Sequence, residues 1–141
     1  MKVVIDTNVL WVSISRRSAT HWIFQAILDG SITLCVTTDI LEEYAEIISQ
    51  KLGNQVSEAI LNVFENLPNV NFITRYYRWQ IIKQDPDDDK FVDCAIASNS
   101  IGIITQDNHF KVLKKLPFPK VSVYSIEEFE TIFTKLKNSN I

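Results

Sequence analysis

Asp6 directly follows a short β-branched run at the start of the chain, and Asp107 follows a second apolar run, with only Gln106 between it and Thr105. If both runs are strands of one parallel sheet, the two carboxylates reach the same edge of it. Glu43 and Asp93 fall in the first or second turn of segments with helical periodicity that begin at or near that edge, so their side chains can lean back toward it. Four ionised carboxylates brought together repel, each pair by about 1 kcal/mol in water at 4 Å and by up to roughly 4 kcal/mol near a protein surface. Such a cluster requires a cation or shifted pKa values. An all-oxygen set suits a hard ion, Mg2+ or Mn2+, which keeps several waters and is usually completed by phosphate oxygens of a substrate. The chemistry indicated is therefore phosphodiester hydrolysis. In a two-metal form of it, one ion lowers the pKa of a water to make the nucleophile and the other stabilises the leaving oxygen. Each acid also has a plain structural use. Asp6 could cap a helix beginning near Asn8, Asp107 could cap the turn before Phe110, Glu43 could be a solvated helix residue, and the aspartates from Asp85 to Asp89 could be loop and helix-start residues.

The elements that must position these acids are legible as patterns. Residues 2–5 have the β-branched character of a strand buried on both faces. Ser18 is the expected cap of a helix running to about Asp29, with Trp22, Ile23, Ala26 and Ile27 at helical spacing and Gly30 as the stop. Residues 32–36 read as a second strand. Asp39 with Glu42 forms a capping box ahead of the apolar stripe Leu41, Tyr44, Ala45 and Ile48, and a further helix spans about 54–66. Residues 70–73 are strand-like. Pro86 resists helix continuation before it, so a fresh helix starts near Asp88 with an acidic first turn suited to the macrodipole, and Gly102 breaks it. Residues 103–105 form a buried strand, 110–113 a short helical turn and 121–124 a last strand, and Ser125 with Glu128 caps a final helix. Alternating strands and helices predict one α/β domain over residues 1–141 with a mainly parallel sheet, its ligands bound outside the carboxyl ends of the strands.

Bulk properties agree with a globular domain: the chain has 141 residues, 46% hydrophobic and 22% charged, a size at which one core is expected. No apolar run approaches the roughly 20 residues needed to cross a bilayer, and the opening meets an acid too early for a signal peptide, so a cytoplasmic location away from membranes is expected. Cys35 and Cys94 lack metal-ligand spacing and sit in apolar surroundings, as buried reduced thiols do. The net charge of −3 argues at first against a nucleic-acid partner, yet five of the nine residues from Asp85 to Asp93 are aspartates. A bound cation could neutralise that segment, and without it the balance is slightly basic.

The opening Val-Val-Ile-Asp-Thr-Asn-Val-Leu resembles the first motif of PIN domains, Leu41-Glu42-Glu43-Tyr44 the second, Asp93-Cys94-Ala95-Ile96-Ala97 the third, and Thr105-Gln106-Asp107 with Phe110 the fourth. The resemblance runs in order along nearly the whole chain, and Asp-Pro-Asp-Asp-Asp-Lys-Phe is similar to a toxin subgroup of toxin–antitoxin systems. It implies a three-layer α/β/α fold with four to five strands, and a ribonuclease like the VapC toxins that uses Mg2+ or Mn2+ to cleave RNA. It also implies a small antitoxin protein as partner and a homodimer. By the same resemblance Asp6, Glu43, Asp93 and Asp107 bind metal, while Asn8 and Thr105 orient a carboxylate or a water. Asp88 and Asp89 lie about one helical turn before Asp93 and compete with it for the third position, Asp88 first. Gln106 stands where many relatives carry a basic residue.

Two other readings compete. A PIN-like scaffold could bind RNA or an antitoxin without cleaving. The strand followed by Asp-x-Asn-Val is also one residue from the opening of haloacid-dehalogenase-like phosphotransferases, whose first aspartate is a nucleophile, although here the second acid is Asn8. Among the remaining polar residues, His21 and His109 read as packing or surface histidines, His109 being the nearer to function through Asp107. Arg16, Arg17, Lys111, Lys114 and Lys115 flank the acids and could carry phosphates. Arg75-Tyr76-Tyr77-Arg78-Trp79 interleaves cations with rings as single-strand binders do, although core packing or a dimer surface is the commoner use.

Overall fold

The computed structural model describes residues 1–74, 77–82 and 86–139. Arg75, Tyr76 and Asp85 lie outside the described residues.

The β-branched opening forms β1 (Lys2–Ile5), and β2 (Thr33–Val36), β3 (Val70–Phe72), β4 (Ile103–Ile104) and β5 (Val123–Tyr124) complete a five-stranded sheet in the order β3-β2-β1-β4-β5. Every pairing is parallel, with Val3 opposite Leu34, Leu34 opposite Val70, Ile5 opposite Ile104, and Ile104 opposite Tyr124. Parallel strands need crossovers, and the helices supply them: α1 (Thr7–Ser13), α2 (His21–Leu28), α3 (Thr38–Leu52), α4 (Asn54–Asn66), α5 (Asp89–Ser98) and α6 (Ile126–Ser139). Val3, Val4 and Ile5 are all fully buried although successive side chains leave a strand on opposite faces. Both faces of the sheet are thus covered, giving a three-layer α/β/α architecture. α5 packs on β1 and β2, α3 on α4 and α1, and α6 against β5.

Helix starts depart from the sequence reading in two places. The cap of α3 is Thr37, whose hydroxyl accepts from the Ile40 amide at 3.4 Å, while Asp39 lies inside the first turn and receives the Thr37 hydroxyl. Threonine at the strand end already has the extended backbone that a cap requires, so the helix begins two residues earlier than the Asp39–Glu42 box implies. Ser18 does not cap α2. Its hydroxyl receives the Thr20 amide in a preceding turn, and the helix begins at His21 without a side-chain cap. The box at Ser125 and Glu128 is present in both directions, at 2.9 and 3.1 Å.

Strand order reverses where β4 joins the far side of β1, and a crevice forms at the carboxyl ends of such a pair. Gly102 makes this junction possible. It has φ +156, its carbonyl receives the Val4 amide at 3.1 Å, and a Cβ there would stand 2.5 Å from the Ser122 carbonyl oxygen and 2.9 Å from the Tyr124 ring. Gly102→Ala is therefore expected to cost about 1–3 kcal/mol through forced backbone movement. Gly30→Ala, at φ +86 with open space around the added methyl, should cost only the left-handed backbone penalty of about 1 kcal/mol. Urea unfolding of the two variants checks this, and equal losses would remove steric closeness at Gly102 from the account.

Candidate active site

Backbone pairing sets the first acid. The Asp6 amide donates to the Ile104 carbonyl at 3.0 Å, carrying β1–β4 pairing one residue past β1, and its carbonyl accepts the Leu10 amide that opens α1. The carboxylate makes no capping bond to α1. Instead its Oδ2 accepts from Thr105 Oγ1 at 2.8 Å across the sheet, and Thr105 Oγ1 in turn accepts the Asp107 amide at 2.9 Å. Thr105 is thus a buried clasp between the ends of β1 and β4. Asp107 does cap the following 3-10 helix (Asn108–Lys115), accepting the His109 amide at 2.9 Å.

Glu43 arrives from α3 because of its neighbour. Tyr44 is wholly buried and donates its hydroxyl to the Ile5 carbonyl, the residue before Asp6. Its burial, with the nearby charges, pushes its phenol well above the ordinary range. That anchor holds the first turns of α3 against the end of β1, and Glu43 then accepts from Thr7 Oγ1 and pairs with Lys90 Nζ at 2.9 Å. Asp6 is buried next to these groups. Desolvation raises its pKa; the Thr105 hydroxyl and the Thr7 amide oppose the shift, while the charges of Asp107 and Glu43 add to it. Asp6, Glu43 and Asp107 are accordingly close enough to repel.

The third acid divides among three residues. Asp93, 2% exposed, accepts the Trp79 amide at 3.0 Å, and Asp89 accepts the Ile82 amide at 2.7 Å. Both brace the segment over residues 77–82. Asp88, at the end of a 3-10 turn over Pro86–Asp88, presents Oδ2 to His109 Nδ1 at 3.5 Å, the same distance that separates Nδ1 from Asp107 Oδ1. One donor atom from each of Asp88, Asp107 and His109 lies within 4.8 Å of the others. A hard or borderline divalent cation is compatible with this donor set, and its charge would offset the crowding at Asp6.

A pocket of about 320 Å³ opens beside these groups, lined by Asp6, Asn8, Val9, Val12, Gln106, Asp107 and Ile126. Asn8 is exposed there and accepts the Trp11 indole N–H at 3.2 Å. Gln106 accepts the Ile126 amide at 3.1 Å, so it ties β4 to α6. Arg16, Arg17, Lys111, Lys114 and Lys115 are exposed. Of the aromatic and basic motif, Tyr77 packs edge-on against Trp79 at 4.7 Å and Trp79 against Phe118 at 5.8 Å. Cys35 and Cys94 are buried and not joined in a disulfide. Thr7 and Lys90 escaped the sequence reading because their role depends on α1 and α5 both meeting α3. His109 carried a signal, its place two residues after Asp107.

Two outcomes follow from this geometry. Asp93→Ala should free the Trp79 amide, speeding hydrogen exchange over residues 77–82 and costing about 1–3 kcal/mol, while Asp93→Asn, which keeps an acceptor oxygen, should change little; equal exchange in both would detach Asp93 from this segment. For Asp6, a pKa raised in the fold stabilises fully below the ordinary value of 3.8 and loses that contribution as pH rises through the folded value. Metal-free Asp6→Asn, uncharged throughout, should therefore be more stable than the parent at neutral pH, with the difference shrinking toward a pH of about 4. A parent as stable as the variant at neutral pH would refute the cost of burying the Asp6 carboxylate beside these charges.

Solved structures with the same fold include VapBC2 from Rickettsia felis bound to a DNA fragment from the promoter (16% identity, 89% of this chain and 98% of that one, TM-score 0.61). DNA-bound VapBC from Salmonella typhimurium and FitAcB from Neisseria gonorrhoeae each match at 14% identity with TM-score 0.55, over 89% of this chain and 98% of the other. No curated protein matches this sequence. The PIN domain family matches residues 2–109, from the first residue of β1 through the turn that holds Asp107 and His109. The chain with this acid-lined sheet edge belongs to the PIN domain family.

Proposed function

We propose that the chain is a divalent-metal-dependent endoribonuclease and the toxin of a toxin–antitoxin pair. The observation that carries the reading is the desolvated Asp6 carboxyl, crowded by the charges of Asp107 and Glu43 at the point where strand order reverses. Carboxylates at such a crevice suit a hard cation, and Asp107 presents a donor within 4.8 Å of donors from Asp88 and His109. Membership of the PIN domain family adds to it. The antitoxin partner draws its support from neighbours that are VapBC complexes.

In this reading Asp6, Asp107 and the third acid, Asp88 by its position or Asp93 by its motif, hold Mg2+ or Mn2+, with Glu43 at the edge of the site. The ion, when bound, supplies charge to the phosphate and acidity to a water. The chain's own residues do the positioning. Thr105 aims Asp6 Oδ2 across the β1–β4 junction at 2.8 Å. Lys90 and Thr7 hold the two oxygens of Glu43, which keeps that carboxylate oriented. The pocket of about 320 Å³ beside Asp6 and Asp107 would receive the scissile phosphate, and the exposed cations Lys111, Lys114 and Lys115 would follow the RNA strand.

Purified protein incubated with structured and single-stranded RNAs should cleave in Mn2+ or Mg2+, not in EDTA, and Asp6→Asn should fall to background while retaining its fold. An Asp6→Asn variant with full metal-dependent activity would sink the site assignment; intact RNA in every condition would favour a scaffold that binds without cleaving.

A further inference from the structure

The sequence has two histidines, and they are used differently. His21 is engaged through both ring nitrogens, Nδ1 at 2.8 Å from the Ser13 carbonyl and Nε2 at 3.1 Å from the Gln25 amide. His109 instead turns Nδ1 toward two carboxylates, 3.5 Å from Asp88 Oδ2 and 3.5 Å from Asp107 Oδ1. The fold determines this. Asp107 caps the 3-10 helix on the His109 amide, so both side chains leave one turn. The next residue, Phe110, is fully buried and meets Phe91 of α5 edge-on at 6.3 Å. That ring pair clamps the turn carrying Asp107 and His109 against the helix start carrying Asp88.

A charge-assisted N–H to carboxylate bond closes to about 2.7–2.9 Å, and Nδ1 stands beyond that distance from both oxygens. The spacing matches a different geometry. With metal–ligand bonds of about 2.1 Å, neighbouring donors of an octahedral ion are about 3 Å apart and opposite ones about 4.2 Å. The three donor atoms here share a span of 4.8 Å, which a small inward adjustment would bring to that polyhedron.

We propose that His109 is a nitrogen ligand of the cation at this site, beside Asp88 and Asp107, and that it biases the site toward Mn2+ and borderline transition ions over Mg2+. The inference shares with the ribonuclease reading only the presence of a cation at Asp107, and it holds whatever the substrate. The physical basis is ligand softness. Carboxylates and waters suit Mg2+ and Mn2+ alike, whereas imidazole is a poor ligand for Mg2+ and a good one for later ions.

The test loads the intact chain with Mn2+ alone and records pulsed EPR and calorimetric titrations, with Mg2+ titrated in parallel, for the parent and His109→Gln. Nitrogen-14 coupling from an imidazole is expected in the parent and absent in the variant. Mn2+ affinity should fall by roughly tenfold or more on losing the ligand, and Mg2+ affinity by much less. The His109 side chain is 43% exposed, and matching thermal unfolding of the two proteins in EDTA verifies the variant's fold. Bound Mn2+ without nitrogen coupling in the parent would overturn the inference while leaving the ribonuclease reading intact. Absence of Mn2+ binding would overturn both, and RNA cleavage failing while nitrogen coupling is present would overturn only the ribonuclease reading.

Discussion

Pairing of β1 with β4 is the contact on which the site depends. It brings Ile5 beside Ile104, extends to the Asp6 amide on the Ile104 carbonyl, and thereby places Thr105 Oγ1 within reach of Asp6 Oδ2. The two strands are almost a hundred residues apart in sequence, and no local propensity joins them. What joins them is burial: beyond the exposed Lys2 that opens β1, both are apolar and covered on both faces, so their only stable position is the centre of a sheet. Once parallel pairing is established, all strands end at one edge, and polar residues that follow a strand must gather there.

The acidic edge is held in place by buried aromatic residues close behind it. Tyr44 fastens α3 to the Ile5 carbonyl and so delivers Glu43. Phe91 and Phe110 fasten the start of α5 to the turn after β4 and so deliver Asp88 opposite Asp107 and His109. In each case a fully buried aromatic ring stands within three residues of a charged group. Dense packing around the rings lets the carboxylates stand close without relaxing apart, and the cost shows in the raised pKa of Asp6, set first by its burial and then by the charges of Asp107 and Glu43.

The acids are compensated unequally. Glu43 has a lysine and a threonine hydroxyl, and Asp93 and Asp89 accept backbone amides from the segment over residues 77–82. Asp6 has the Thr105 hydroxyl and the Thr7 amide against burial and two like charges. A cation added to this edge would therefore act most strongly on Asp6 and its neighbours across the β1–β4 junction, and a structural role already explains one oxygen of Asp93.

Much of this was legible in the residues themselves. A β-branched run ending in Asp6, a Gly-Ile-Ile-Thr run ending near Asp107, and helical stripes between them sufficed for a parallel α/β domain with acids at the strand ends, because period and punctuation are local properties. The cap of α3 was misplaced by two residues because Thr37 and Asp39 are both good caps, and only the strand's end decided between them. The competition among Asp88, Asp89 and Asp93 was not decidable from spacing: one helical turn separates candidates whose orientation depends on how α5 rolls against the sheet. The tertiary structure turned Asp88 toward Asp107 and His109, and Asp89 and Asp93 toward the backbone of residues 77–82. It also supplied Lys90 and Thr7 to Glu43. Sequence alone determined which groups could meet at the sheet edge, since strand ends are set by local pattern; which of them do meet was decided by long-range packing of buried rings, which no short window of residues contains.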